Sequence, residues 1–220
     1  MFAIVESGSI TSMPKGNKGI QVGDIKYPAT IYTLWTETER NAIGVYTIEE
    51  DKTNLKDEEW YINTNISYAY DADADKVKGT YGTATAKAIA DVNVVWTQAE
   101  IDAKEAPDGT SAGDAHNDGD GNQIVIYGLK TKYKNQFNAQ AAGLLAPTDW
   151  YVVKATEVSD YTVPSAITTY RAAVRTKVNA METAIDGCAN VAALITLLTY
   201  VKQEDGTITR PLGEFPDEVV

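Results

Sequence analysis

Six apolar residues in the C-terminal third, Ile167, Tyr170, Val174, Val178, Met181 and Ile185, follow one another at intervals of three, four, four, three and four. That interval is the repeat of one face of an α-helix, so the segment must find a second apolar surface to cover it. Proline in the first turn, within "VPSAITTYR", and Gly187 past the last apolar position mark its ends. A second stripe of the same kind runs through Leu129, Tyr133, Phe137, Ala141 and Leu144 or Leu145, and Pro147 ends it, because the residue before a proline avoids the α region. Asn190 is placed to cap a third helix, "VAALITLLTYVK", whose Leu194, Leu197, Leu198 and Val201 face a partner. Short connections predict antiparallel packing of these helices.

The stretch "LLAPTDWYVVKATE", Leu144 to Glu157, joins the first two of them. Its "DWYVVKATE" part reads as a short extended link or strand, with Asp149 able to bind exposed amides at the junction. Trp150 and Tyr151 carry large apolar area, and Trp150 is expected to anchor between stripe residues such as Tyr133 and Tyr170. Tyr133, Trp150, Tyr151 and Tyr170 are therefore the candidate protein-interface residues. The pattern leaves open whether the junction is internal core or docks a neighbouring subunit.

The first 84 residues read differently. "FAIVESGSI" alternates apolar and polar positions before a turn at "MPKGNKG", and "TIYTL" and "GVYTI" have strand composition, with "TETERNAI" a helical turn between them. "EWYINTNISYAYD" continues the strand pattern. From Thr83 alanine content rises and the chain looks more helical, with a capping box expected from Thr97 and Glu100. "PDGTSAGDAHNDGDGNQ", residues 107–123, holds no large aliphatic or aromatic residue and reads as an exposed loop or linker. The expected architecture is α+β: a β-rich module at 1–84, a helical segment and Gly/Asp-rich loop at 85–127, an antiparallel helical module at 128–213, and a tail at 214–220.

A chain of 220 residues buries roughly 70% of its unfolded surface, enough for a real core. Nineteen Lys and Arg against 31 Asp and Glu give a net charge of -12, which repels phosphate and anionic lipid and makes nucleic acid a poor partner. The acidic runs "EEDKTNLKDEE" and "DADAD" read as solvated loops or turns. A single cysteine, Cys188, excludes an intrachain disulfide and reads as a small packed side chain. Neither a signal peptide nor a membrane-spanning run is expected.

Catalytic equipment is not legible. His116 is the only histidine and is expected to be an exposed residue of the Gly/Asp-rich loop; "GNKGIQVG" matches neither phosphate-binding nor dinucleotide-binding spacings. Asp114, Asp118, Asp120 and Asn122 imitate a calcium loop with Gly119 at its sixth position, but Val125 stands where a bidentate glutamate is needed. No catalytic residue, cofactor or metal site is expected.

Two segments resemble a known class. In "YPATIYTLWTETERNAIGVYTIEE", Tyr27, Pro28, Trp35, Glu39, Arg40, Ile43 and Gly44 follow a pattern recurrent in tailed-bacteriophage tail proteins. Leu144, Leu145, Thr148, Asp149, Trp150, Tyr170, Arg171 and Arg175 are similar to helical segments of tail-fibre and tail-assembly proteins. The two segments cover about half of the chain. The resemblance implies a non-enzymatic virion protein of the tail, assembled in the host cytoplasm, present in several copies and bound to other tail or fibre proteins. A tail-fibre assembly chaperone is the alternative. A receptor-binding or glycan-degrading tip protein, with a cleft at Trp35 or Trp60, is a weaker one.

Overall fold

A computed structural model describes residues 1–218. The chain is α+β and divides into two units, Met1–Ala86 and Lys87–Val220.

The first unit contains β1 (Phe2–Glu6), β2 (Ser9–Ser12), β3 (Ile20–Val22), β4 (Ile25–Tyr27), α1 (Ile31–Leu34), α2 (Glu37–Asn41), β5 (Val45–Asp51), β6 (Tyr61–Ile62), β7 (Ile66–Asp71), β8 (Lys76–Tyr81) and β9 (Thr85–Ala86). Five strands form one sheet in the order β2-β1-β5-β8-β7, antiparallel except between β5 and β8. Its two edges, β2 and β7, come within 8 Å of each other, Cα to Cα, so the sheet curls strongly. The unbroken apolar run Phe2–Val5 suits β1 to an inner position between β2 and β5, with both of its faces covered. Ala3 packs with Tyr46, Ile48 and Val77 on one face, while Ile4 packs with Ile31, Tyr32 and Val45 on the other.

Within this unit "TIYTL" departs from the strand expectation and forms the helical turn α1. A strand would send Ile31 and Tyr32 to opposite faces, whereas one helical turn buries both and leaves Leu34 outside. The expected turn at "TETERNAI" is α2, closed by a capping box between Thr36 and Glu39. The acidic run from Glu49 is not all loop, since Glu49, Glu50 and Asp51 lie in β5 and Glu49 pairs with Lys76 at 2.7 Å.

The second unit contains β10 (Val92–Asn93), α3 (Gln98–Asp102), β11 (Val125–Ile126), α4 (Leu129–Leu145), a 3-10 turn (Ala146–Thr148), α5 (Asp149–Glu157), α6 (Ser165–Asp186), α7 (Val191–Leu198), β12 (Val201–Lys202) and β13 (Ile208–Thr209). Lys134 meets Asp186, Asn138 meets Glu182 and the Leu145 carbonyl meets Arg171, so α4 and α6 run antiparallel. Leu129, Tyr133, Phe137 and Ala141 are buried on α4, and Ile167, Tyr170, Val174, Val178, Met181 and Ile185 on α6, as their spacing predicts. Asn190 accepts the Ala193 N–H at 2.9 Å and caps α7. That helix is shorter than expected: Val191 and Leu194 are buried, while Val201 is exposed in β12.

Two expectations here are corrected. Residues 83–96 are not helical; they run extended, with the Ala88 and Ile89 carbonyls accepting the N–H groups of Leu129 and Lys130, both at 3.0 Å, and Asp91 accepting that of Gly128 at 2.8 Å. The segment thereby satisfies the first orphan amides of α4, a demand that outweighs the helix propensity of its alanines. Residues 107–123 are not a free linker. Val94, His116 and Ile124 exchange backbone hydrogen bonds of 2.9–3.0 Å in a closed ring, and Trp96 donates its N–H to the Asp114 carbonyl at 2.9 Å. His116 is half-buried rather than exposed, stacked on Trp96 with ring centroids 3.7 Å apart.

Candidate interaction surface

The junction 144–157 is helical, not extended. After α4 the 3-10 turn carries Pro147, and α5 follows at once. A nine-residue helix with two valines is marginal in isolation, so tertiary contacts must hold it. Arg171 on α6 supplies them. Its buried guanidinium donates to the Leu145 carbonyl at 3.0 Å and to Thr148 Oγ1 at 2.6 Å, and pairs with Asp149 Oδ1 at 2.8 Å. Asp149, expected to bind exposed amides, instead pairs with this cation. Thr148 Oγ1 also donates to the Leu145 carbonyl at 2.7 Å, so the hydroxyl of the buried Thr148 both gives and receives a hydrogen bond.

The four candidate aromatic residues separate into two pairs. Tyr133 and Tyr170 are buried in the α4–α6 core, where the Tyr170 hydroxyl donates to the Leu144 carbonyl at 3.4 Å and burial pushes its phenol pKa up. Trp150 is 51% exposed and does not anchor between them; its ring packs on Tyr151, centroids 3.8 Å apart, with the Lys154 ammonium 5.8 Å from the indole centre. The same ammonium lies 4.3 Å from the Tyr161 ring centre and tethers the end of α5 to the following loop.

No residue of α5 is buried. Trp150, Val152 and Val153 are exposed along it, and Val158 is exposed just beyond. Valines in a helix cost propensity, and here they do so without contributing to the core; Trp150 and Val153, three residues apart, share one side of α5. Sequence reasoning named Trp150 and Tyr151 but not Val152 and Val153, because an extended reading hides which side of a helix each residue occupies; Arg171 entered only through the resemblance, with no role given to it. The signal available for Arg171 was its position four residues after Ile167 and three before Val174, at the border of the apolar stripe of α6.

The calcium-like loop turns its oxygens inward: Asp118 accepts the N–H groups of Asp120 at 3.0 Å and Asn122 at 2.8 Å. Among the described residues no group of three or more His, Cys, Asp or Glu side chains is placed to hold a metal ion, and no helix is long and apolar enough to cross a membrane. No protein family, no curated protein and no solved structure matches this chain.

Proposed function

We propose that the chain is a non-enzymatic structural component of a bacteriophage tail, an adaptor or fibre-attachment subunit that docks neighbouring virion subunits through the exposed face of α5. The observation that carries this reading is the uncovered pair Trp150 and Val153, about one turn apart on a helix whose start the Arg171 clamp holds. Rigid presentation of a tryptophan beside aliphatic residues lowers the entropy lost on docking and suits a binding anchor.

The resemblance to tail proteins adds support because its residues act together. Leu144, Leu145, Thr148, Asp149, Tyr170 and Arg171 build the clamp that presents Trp150. In the first unit Glu39 closes a helix cap, Arg40 donates to the Trp35 carbonyl, and Gly44 takes a left-handed turn with φ +78° beside β1. Several copies per particle are expected, since tail symmetry repeats each position.

The test is mass spectrometry of purified particles, where the chain is expected in multiple copies. Absence from particles together with recovery bound to fibre protein from infected cells would instead establish the assembly-chaperone reading, which the uncovered valines of α5 also favour. Absence from both would reject the tail role.

A further inference from the structure

Residues 210–218 follow β13 with no further helix or strand, and their two halves are held unequally. The first half is anchored. Leu212 is 4% exposed; its N–H donates to the Leu197 carbonyl of α7 at 3.0 Å, and its carbonyl accepts from Lys177 Nζ of α6 at 2.8 Å. The Arg210 guanidinium lies 5.2 Å from the ring centre of Phe137 on α4 and 4.8 Å from that of Tyr200, and pairs with Glu214 at 2.9 Å. Residues 210–213 thus tie α4, α6 and α7 together. The second half is only partly seated: Phe215 and Pro216 are half-buried and border two open depressions of about 410 Å³ and 460 Å³. Phe215 shares a wall of the first with Gly143 and Leu144, and Pro216 shares a wall of the second with Tyr170 and Ala173. Between the halves stands Gly213 at φ +70°, where an added Cβ would meet Lys177 Nζ at 2.6 Å.

We propose that residues 214–218 are a lid, hinged at Gly213, that seats on the end of α4 and steadies the docking face of α5, with Phe215 as the positioning residue. The inference rests on the reading of α5 as that face. The residues under the lid lead directly to the Arg171 clamp. Leu144 and Tyr170 are joined by a hydrogen bond of 3.4 Å, long enough to be weak, and the next carbonyl, that of Leu145, is the one Arg171 holds. Exclusion of water strengthens such bonds, so a seated Phe215 tightens the start of α5 and a lifted one admits water to it. Glu218 stands close enough to Tyr170 to add to the upward push that burial gives its phenol pKa, which places the end of the lid over the same ring. The closing contact is one half-buried ring and a proline, whereas the Leu212 anchor lies before the hinge. The lid therefore lifts without unfolding α4, α6 or α7, and its position sets how much ordering α5 loses or keeps before docking.

The experiment is hydrogen–deuterium exchange of the full chain without a partner, read by mass spectrometry in peptides covering 144–157. Phe215→Ser should raise exchange there by about tenfold, and Phe215→Leu should keep most of the protection. Peptides of α7 and of the first unit should change by less than about twofold. Unchanged exchange at 144–157 overturns the proposal, as does a rise of equal size throughout the second unit, which marks general destabilisation. A chain ended at Gly213 gives a second reading: the same local rise is expected, and protection equal to that of the full chain overturns the lid. Since no partner takes part, failure of the lid and failure of docking through α5 are separate results.

Discussion

Nη1 of Arg171 lies 2.8 Å from Oδ1 of Asp149, joining a side chain that is 10% exposed to one that is 59% exposed. The cation also serves the Leu145 carbonyl and Thr148 Oγ1, so it welds the end of α4 and the start of α5 to α6. Truncation by Arg171→Ala removes the guanidinium donor of the buried Thr148 hydroxyl and one of the two side-chain donors to the Leu145 carbonyl, at a cost of about 1–3 kcal/mol. Asp149→Asn removes only a solvent-facing charge and costs less than about 1 kcal/mol. Urea denaturation followed by circular dichroism gives both values, and faster amide exchange at 150–157 in Arg171→Ala would locate the loosening in α5.

Exposure separates the two kinds of aromatic residue. Phe137 is 2% exposed in the α4–α6 core, and Phe137→Ala should lower stability by about 3–5 kcal/mol. Trp150→Ala should stay within about 0.5 kcal/mol of the unmodified chain, while the proposed docking through α5 predicts that it weakens attachment to the particle. A loss of several kcal/mol at Trp150 would place that side chain in the core.

Two glycines give effects of opposite sign. Gly44 has φ +78°, and a Cβ there would meet the Val5 carbonyl oxygen at 2.6 Å, so Gly44→Ala should cost more than about 1 kcal/mol. Gly143 lies in the interior of α4 with nothing within 4 Å of an added Cβ, and Gly143→Ala should stabilise by about 0.5–1 kcal/mol. Thermal melts of the two variants check both signs.

The stability of the first unit depends on pH through Asp75. Its carboxylate accepts hydrogen bonds from Tyr46 at 2.7 Å and Tyr70 at 2.8 Å, and these hold its pKa below the ordinary value. Because the folded pKa is the lower one, the contribution is present above the unfolded pKa of about 3.9 and is lost as pH falls through the folded value. Burial, then the hydrogen bonds with Tyr70 and Asp75, raise the Tyr46 phenol pKa, so its contribution is present below the unfolded pKa of about 10 and is lost as pH rises through the folded value. Asp75→Asn should flatten the acid side of a melting-temperature profile relative to the unmodified chain. An unchanged acid slope would remove Asp75 from the explanation.

The long-period features were legible in the sequence, and the short ones were not. Residues on α4 and α6 such as Phe137 and Val174 repeat over several turns, so burial of one face was the consistent outcome. Tyr151, Val152 and Val153 have strand composition over too few residues to set a period, and the Arg171 clamp overrides it. Ile31 and Tyr32 were misread for the same reason: a neighbouring sheet face required both on one side. Residues 107–123 lack apolar mass, yet Trp96, contributed from outside the segment, gives His116 a ring to stack on. No local pattern announces such a pairing. In the interface set, the exposed Trp150 and half-buried Tyr151 lie on α5, while the buried Tyr133 and Tyr170 belong to the α4–α6 core, a distinction that exposure draws and composition cannot.

Docking through α5 is tested most directly by placing a photo-crosslinking amino acid at position 153 of the chain, in phage otherwise unchanged, and irradiating purified particles. The docking role predicts a covalent adduct between this chain and another tail or fibre protein, lost when Trp150→Ala is introduced as well. A chain incorporated into particles whose residue 153 reacts with solvent alone would contradict it.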